Sequence, residues 1–126
     1  MSKIASIQGP IEITRDAVHV FDTIGGLVPG EIRTLATRIG IGFGEVAGIC
    51  AVTAAVPGTA AGNLLIEQSV DGTNYDQVDT FPILGLNTRS FAVKVVGAYV
   101  RARFGVPLGE VYSIRFGGQL RPQTGA

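Results

Sequence analysis

Residues Asn63 to Phe81 read NLLIEQSVDGTNYDQVDTF, and this stretch constrains the fold more than any other. Leu64, Ile66 and Gln68 alternate with Leu65, Glu67 and Ser69, the pattern breaks at Asp71-Gly72-Thr73-Asn74, and it resumes with Tyr75, Val78 and Phe81. Alternation of period two on both sides of an Asp-Gly turn encodes a β-hairpin. The expected sheet partner is Tyr99 to Phe104, YVRARF, in which Arg101 and Arg103 share one face and Val100, Ala102 and Phe104 the other.

The rest of the chain repeats this texture. Gly9-Pro10 interrupts pairing, so Met1 to Pro10 reads as an arm. Ile11 to Thr14 and Val18 to Phe21 flank Arg15-Asp16-Ala17 as a short hairpin. Thr23 to Gly30 reads as a turn-rich loop, and its apolar Ile24, Leu27 and Val28 must pack either on the loop's own core or on a neighbouring subunit. Glu31 to Phe43 alternates with two mixed faces, whereas the small and β-branched residues of Glu45 to Val56 predict a strand buried on both sides. Pro82 to Ser90 reads as a loop in which Pro82 closes the preceding strand. Phe91 to Val96, Tyr99 to Phe104 and Val111 to Leu120 complete the strands, with a bulge expected at Gly117-Gly118. About eight strands at regular spacing, with no amphipathic helix, predict an all-β fold. The expected architecture is a single-domain β-sandwich or jelly roll of antiparallel strands spanning residues 11–120, between an arm at 1–10 and a polar tail at 121–126; a closed small barrel is the alternative.

Composition narrows function more than fold. Charged residues make up 16% of the 126, against roughly a quarter in ordinary domains, and 18 glycines are about twice the usual share. So little charge leaves a small domain short of polar cover, which implies that part of its outside is buried in an assembly. Ten basic residues balance ten acidic ones and the arginines are dispersed, so neither nucleic acid nor an anionic membrane is an expected partner. The start of the chain has no apolar run of signal-peptide length, and no stretch has the length of a spanning helix, so the expectation is a soluble protein made in the cytoplasm and not secreted by a recognisable signal.

Chemistry-bearing residues are sparse. Cys50 lies in an apolar run, far in sequence from His19, the only histidine, and reads as a small buried hydrophobe. Asp71, Thr73, Asn74 and Asp76 bunch oxygen ligands, but the spacing is not that of an EF-hand, and Asp and Asn at these positions serve turn chemistry. Ser69 and Ser113 lack a G-x-S-x-G setting, so no enzyme, metal or cofactor is expected. Tyr75, Tyr99 and Tyr112 with Arg101, Arg103 and Arg115 could line a sugar-binding face or a subunit interface; the absence of Trp favours the interface. Cross-strand pairing of these arginines with Asp76 or Asp79 is compatible with either.

Glu67-Gln68-Ser69-Val70-Asp71-Gly72-Thr73-Asn74-Tyr75, followed by Gly97-Ala98-Tyr99-Val100-Arg101-Ala102-Arg103-Phe104, resembles a hairpin-and-strand pattern found in discoidin-like sandwiches and in small all-β virion proteins of tailed bacteriophages. Tyr75 stands where the discoidin pattern has Trp, and that family's cysteine pair is absent, which favours the phage resemblance. That resemblance implies a capsid decoration (cement) protein, a homotrimer whose partner is the major capsid protein and whose place is the capsid surface of the virion. Carried onto this chain, it implies contacts by the arm at Ile4, Ile7 and Pro10, by Ile24, Leu27 and Val28, by Tyr99, Arg101 and Arg103, and by Arg121 in the tail. A carbohydrate-binding sandwich module, or a tail or baseplate component, is the alternative.

Overall fold

The computed structural model describes residues 22–122. The expected hairpin at Ile11 to Phe21, the arm with Ile4, Ile7 and Pro10, and the last four residues of the tail lie outside them. Eight strands follow one another: β1 (Asp22–Leu27), β2 (Ile32–Ile39), β3 (Phe43–Val56), β4 (Gly62–Ser69), β5 (Asp76–Ile83), β6 (Thr88–Lys94), β7 (Tyr99–Gly105) and β8 (Val111–Pro122). They form two four-stranded sheets, ordered β1-β8-β3-β6 and β2-β7-β4-β5.

That order is the jelly roll, and the pairings say how it arises. β4 pairs with β5, β3 with β6, β2 with β7 and β1 with β8, all antiparallel, as in one long hairpin centred on the Asp71 turn. Rolling the hairpin adds the contacts of β3 with β8 and β4 with β7. The sheets are separate, so the closed-barrel alternative does not hold, and the pairing of Tyr99 to Phe104 with the Asn63 hairpin does: Leu64 faces Phe104 and Glu67 faces Arg101.

Alternation fills the space between the sheets. Leu64, Ile66, Phe104, Tyr112 and Ile114 are fully buried, and Cys50 sits among them as a small apolar group. Each large side chain of this kind contributes about 1.5–3 kcal/mol by leaving water. Phe91 stacks on Phe116 with ring centroids 6.1 Å apart. The two rings use space that side chains at Gly48 and Gly118, which face each other across β3 and β8, would take. A Cβ on Gly48 would lie 2.1 Å from the Gly117 carbonyl oxygen and 2.9 Å from the Phe91 ring.

Several local expectations are corrected. Thr23 to Gly30 is mostly strand, because the register shift between Ile24 and Leu27 takes up Gly25 and Gly26 and lets β1 keep its place beside β8. Leu27 is fully buried in the protein's own core and Ile24 packs against it, so of this group Val28 alone stands out into solvent. Gly117-Gly118 is not a bulge: the register there is unbroken, and the shifts in β3 fall at Phe43/Glu45 and Val52/Ala54. Glu31 to Phe43 is interrupted by a turn after Ile39, where the Phe43 amide bonds back to the Gly40 carbonyl. Pro82 belongs to β5, whose edge position spares it the missing donor. Arg121 and Pro122 extend β8 instead of opening a tail, and Arg121 makes a 2.8 Å ion pair with Glu45 on the adjoining strand.

Candidate functional site: the apolar loop end

Four loops meet at one end of the jelly roll: residues 28–31, 57–61, 84–87 and 106–110. Register brings them together, since Val56 faces Val111, Gly62 faces Ile83 and Ile32 faces Gly105. The Gly30 amide bonds to the Val106 carbonyl at 3.1 Å, and the Val106 amide to the Glu31 carbonyl at 2.8 Å. Of thirteen large apolar side chains exposed among the described residues, seven stand on this end: Val28, Ile32, Val56, Leu84, Leu86, Leu108 and Val111. Leu108 is 85% exposed and Leu86 69%.

Polar clamps underneath hold these loops. Glu110 is almost completely buried, and its carboxylate accepts hydrogen bonds from the amides of Gly58 (2.8 Å), Thr59 (2.9 Å) and Ala60, and from the Thr59 hydroxyl. Burial raises its pKa, but the amides of Ala60, Gly58 and Thr59 together outweigh that effect and hold the carboxyl below its ordinary range. The Tyr112 hydroxyl donates to the Ala60 carbonyl at 2.5 Å and accepts from the Gly62 amide at 3.2 Å. Gly62 is required where it stands, because a Cβ there would meet the Phe104 ring at 2.4 Å. On the neighbouring loop, Glu31 accepts from the Val28 amide at 3.0 Å and pairs with Arg33 at 2.5 Å. Arg33, followed by the Val28 amide, holds the Glu31 carboxyl below its usual range.

Clamped loops that point apolar side chains at water make this end a candidate binding surface, already ordered before any partner arrives. A partner covering them would gain the burial of large aliphatic groups and lose little loop entropy. What this end presents, among the described residues, is exposed aliphatic surface over buried polar clamps.

The aromatic and basic residues fall in two places. Tyr75, Tyr99, Arg101 and Arg103 come together on the outer face of the β2-β7-β4-β5 sheet, whereas Tyr112 is in the core and Arg115 faces out from the other sheet. Arg101 lies 3.9 Å over the Tyr75 ring, and its Nε donates to Glu67 at 2.8 Å. Arg103 reaches the same carboxylate at 3.7 Å. The expected pairing of these arginines with Asp76 or Asp79 is therefore corrected: β7 lies between β4 and β2, so Glu67, directly opposite Arg101, is the acid within reach. With Arg101 committed to Glu67 and to the Tyr75 ring, little of this face is left to grip a sugar.

At the opposite end, the Asp71 cluster is a turn. Its Oδ1 accepts from the amides of Thr73 and Asn74, each at 2.8 Å, and its Oδ2 from the Asn74 side chain at 2.8 Å. These bonds, the Asn74 amide foremost, hold the Asp71 carboxyl far below its usual range.

Of the loop-end residues, Val28 alone was expected from the sequence. The signal for the others was present: LVPGE at 27–31, PILGL at 82–86 and VPLGE at 106–110 each set apolar residues among Gly and Pro where loops are normally polar. No family model matches the chain, and no curated protein is detectably similar to it.

Proposed function

We propose that the protein is a structural subunit of a phage virion, a capsid decoration protein that works as a homotrimer and stabilises the expanded capsid lattice. The observation that carries this reading is the clamped loop end, where seven large aliphatic side chains stand in solvent with no role in the protein's own core. Such a surface fits a chain that spends its working life covered by copies of itself or by the major capsid protein. The eight-stranded jelly roll adds a fold-level analogy, since it houses viral capsid domains as well as lectins; fold alone does not decide between them. Low charge and a neutral net balance fit a protein that packs into a lattice.

The mechanism is linkage. A subunit that binds only the expanded shell adds its binding free energy to that state, and repeated contacts on one lattice make a weak single contact lasting. The test is co-sedimentation with shells lacking the protein, prepared from the phage that encodes it, before and after expansion. The protein should pellet with expanded shells only and raise their melting temperature. Protein left in the supernatant with both would overturn the reading.

A further inference from the structure

The end of the roll that carries the Asp71 turn has an apolar surface of its own. Three connections meet there, at residues 40–42, 70–75 and 95–98. The Gly40 amide bonds to the Ala98 carbonyl at 2.8 Å. Gln68, buried at the end of β4, ties the β6–β7 connection to the β4–β5 hairpin: its Nε2 donates to the Lys94 carbonyl at 2.8 Å, and its Oε1 accepts from the amides of Val96 at 2.7 Å and Gly97 at 2.8 Å. Ile39, Ile41, Val70, Val78 and Val96 stand exposed on this end, Val70 at 81%. Between the hairpin and the β6–β7 connection opens a pocket of about 230 Å³, lined by Val70, Val78 and Val96, by Gln68, and by Asp71 and Asp76. Asp76 faces Gln68 across the β4–β5 pair, so it shares the inward face of the sheet, yet it is itself exposed and stands at the mouth.

We propose that this pocket docks a lysine or arginine side chain of a partner protein, with the aliphatic stem against the three valines and the cationic head at Asp76. Long basic side chains pair an apolar stem with a charged tip, which is the division the pocket wall shows. Its volume suits one side chain and falls below the roughly 300 Å³ at which sites for whole small molecules begin. A purely apolar occupant would strip water from Asp76 and give nothing back. Both ends of the Gln68 amide are already bonded to backbone, so the polar recognition left to the pocket is its carboxylates. Charge favours the same occupant: Val70 to Asp79 carries three acids and no base, and Arg101 is turned to Glu67 and the Tyr75 ring on the outer face. The walls are fixed before anything binds, because a Cβ on Gly97 would lie 2.8 Å from the Ser69 carbonyl oxygen, and Gly72, at a φ of +81°, sits against the Tyr99 ring. The apolar loop end of a second copy is not the complement, since the base there, Arg33, is already paired with Glu31. The inference rests on this end alone and not on the proposed function.

The test is an amide NMR titration of the full chain with N-acetyl-lysine amide and N-acetyl-arginine amide, and with N-acetyl-norleucine amide as the uncharged counterpart. The basic probes should shift the amides of Val70, Asp76, Val96 and Gly97 to saturation, leave those of Leu86 and Leu108 in place, and bind about fivefold more tightly than the norleucine probe. Asp76→Asn, at an exposed position, should remove that preference and leave the melting temperature close to wild type. Val96→Lys, which sets a basic side chain of the chain's own at the pocket wall, should weaken both basic probes. Norleucine binding as tight as lysine, or a preference that survives Asp76→Asn, would overturn the proposal. So would shifts of equal size at the exposed Asp79, which would mean attraction to surface charge without a site.

Discussion

The Glu110 carboxylate accepts a 2.8 Å hydrogen bond from the Gly58 amide, fixing the loop between β3 and β4 to the last residue before β8. The contact spans fifty-two positions of the chain and sits directly beneath the exposed Val56 and Val111. It is the clearest link between the buried polar groups of this protein and the surface it presents.

The first prediction concerns acid. Glu110, Glu31 and Asp71 all have carboxyls held below their ordinary values when folded. A depressed folded pKa adds stability that is fully present above the unfolded value and is lost as pH falls through the folded one. Melting temperature should therefore hold near neutrality and decline as the pH drops below the ordinary carboxylate range. Glu110→Gln should lower the neutral-pH melting temperature and flatten part of that decline; an unchanged acid profile in the variant would contradict the clamp.

The second concerns the glycine window. Gly48→Ala places a Cβ against the Gly117 carbonyl and the Phe91 ring, and should cost at least about 1–3 kcal/mol by overpacking. Gly105→Ala meets nothing nearer than 3.9 Å and should stay within about 0.5 kcal/mol of wild type. Denaturant titration of both variants measures the contrast.

The third concerns the lone thiol. Burial pushes the Cys50 pKa up to about 12, so its thiolate is scarce at any physiological pH. Ellman's reagent at pH 8 should find no reactive thiol in the native protein and one equivalent in guanidinium chloride. Rapid native labelling would mean that the core opens readily.

A fourth follows from the outer-face network. Glu67→Gln leaves Arg101 and Arg103, both mostly covered, without their shared counter-charge, and should cost about 1–2 kcal/mol. Asp79→Asn, on an exposed position of β5, should be neutral within about 0.5 kcal/mol. Equal costs would return the arginines to the pairing expected from sequence.

Much of the fold was legible because alternation is local. The Asn63 to Phe81 hairpin and the YVRARF strand were readable from side-chain period, and the run around Cys50 from its small and β-branched residues; all three are strands where expected, but the last is not buried on both faces throughout, since Ile49, Thr53 and Val56 stand exposed. What could not be read was set by distant contacts. β1 looked like a loop because two glycines take up a register shift that only β8 makes necessary. Gly117-Gly118 looked like a bulge because the rings that occupy the space beside Gly48 and Gly118 lie elsewhere in the sequence. Glu67 went unnoticed as the partner of Arg101 because the pairing depends on strand order, which no local pattern contains. The loop end is the instructive case: Leu86 and Leu108 are each one apolar residue in a turn, and they become a surface only once the roll brings their loops to the same end.

The most direct measurement is solution mass by light scattering, at low and high salt, of the wild-type protein and of Val56→Ser/Leu108→Ser. Both substituted positions are exposed, so melting of the separated chain should change little. The prediction is a wild-type particle of three times the 13.1 kDa chain mass in both salts, and a variant that falls to the single chain. A wild-type protein that is monomeric at every concentration, or a variant that keeps the wild-type mass, would contradict the claim that the apolar loop end holds copies of this chain together.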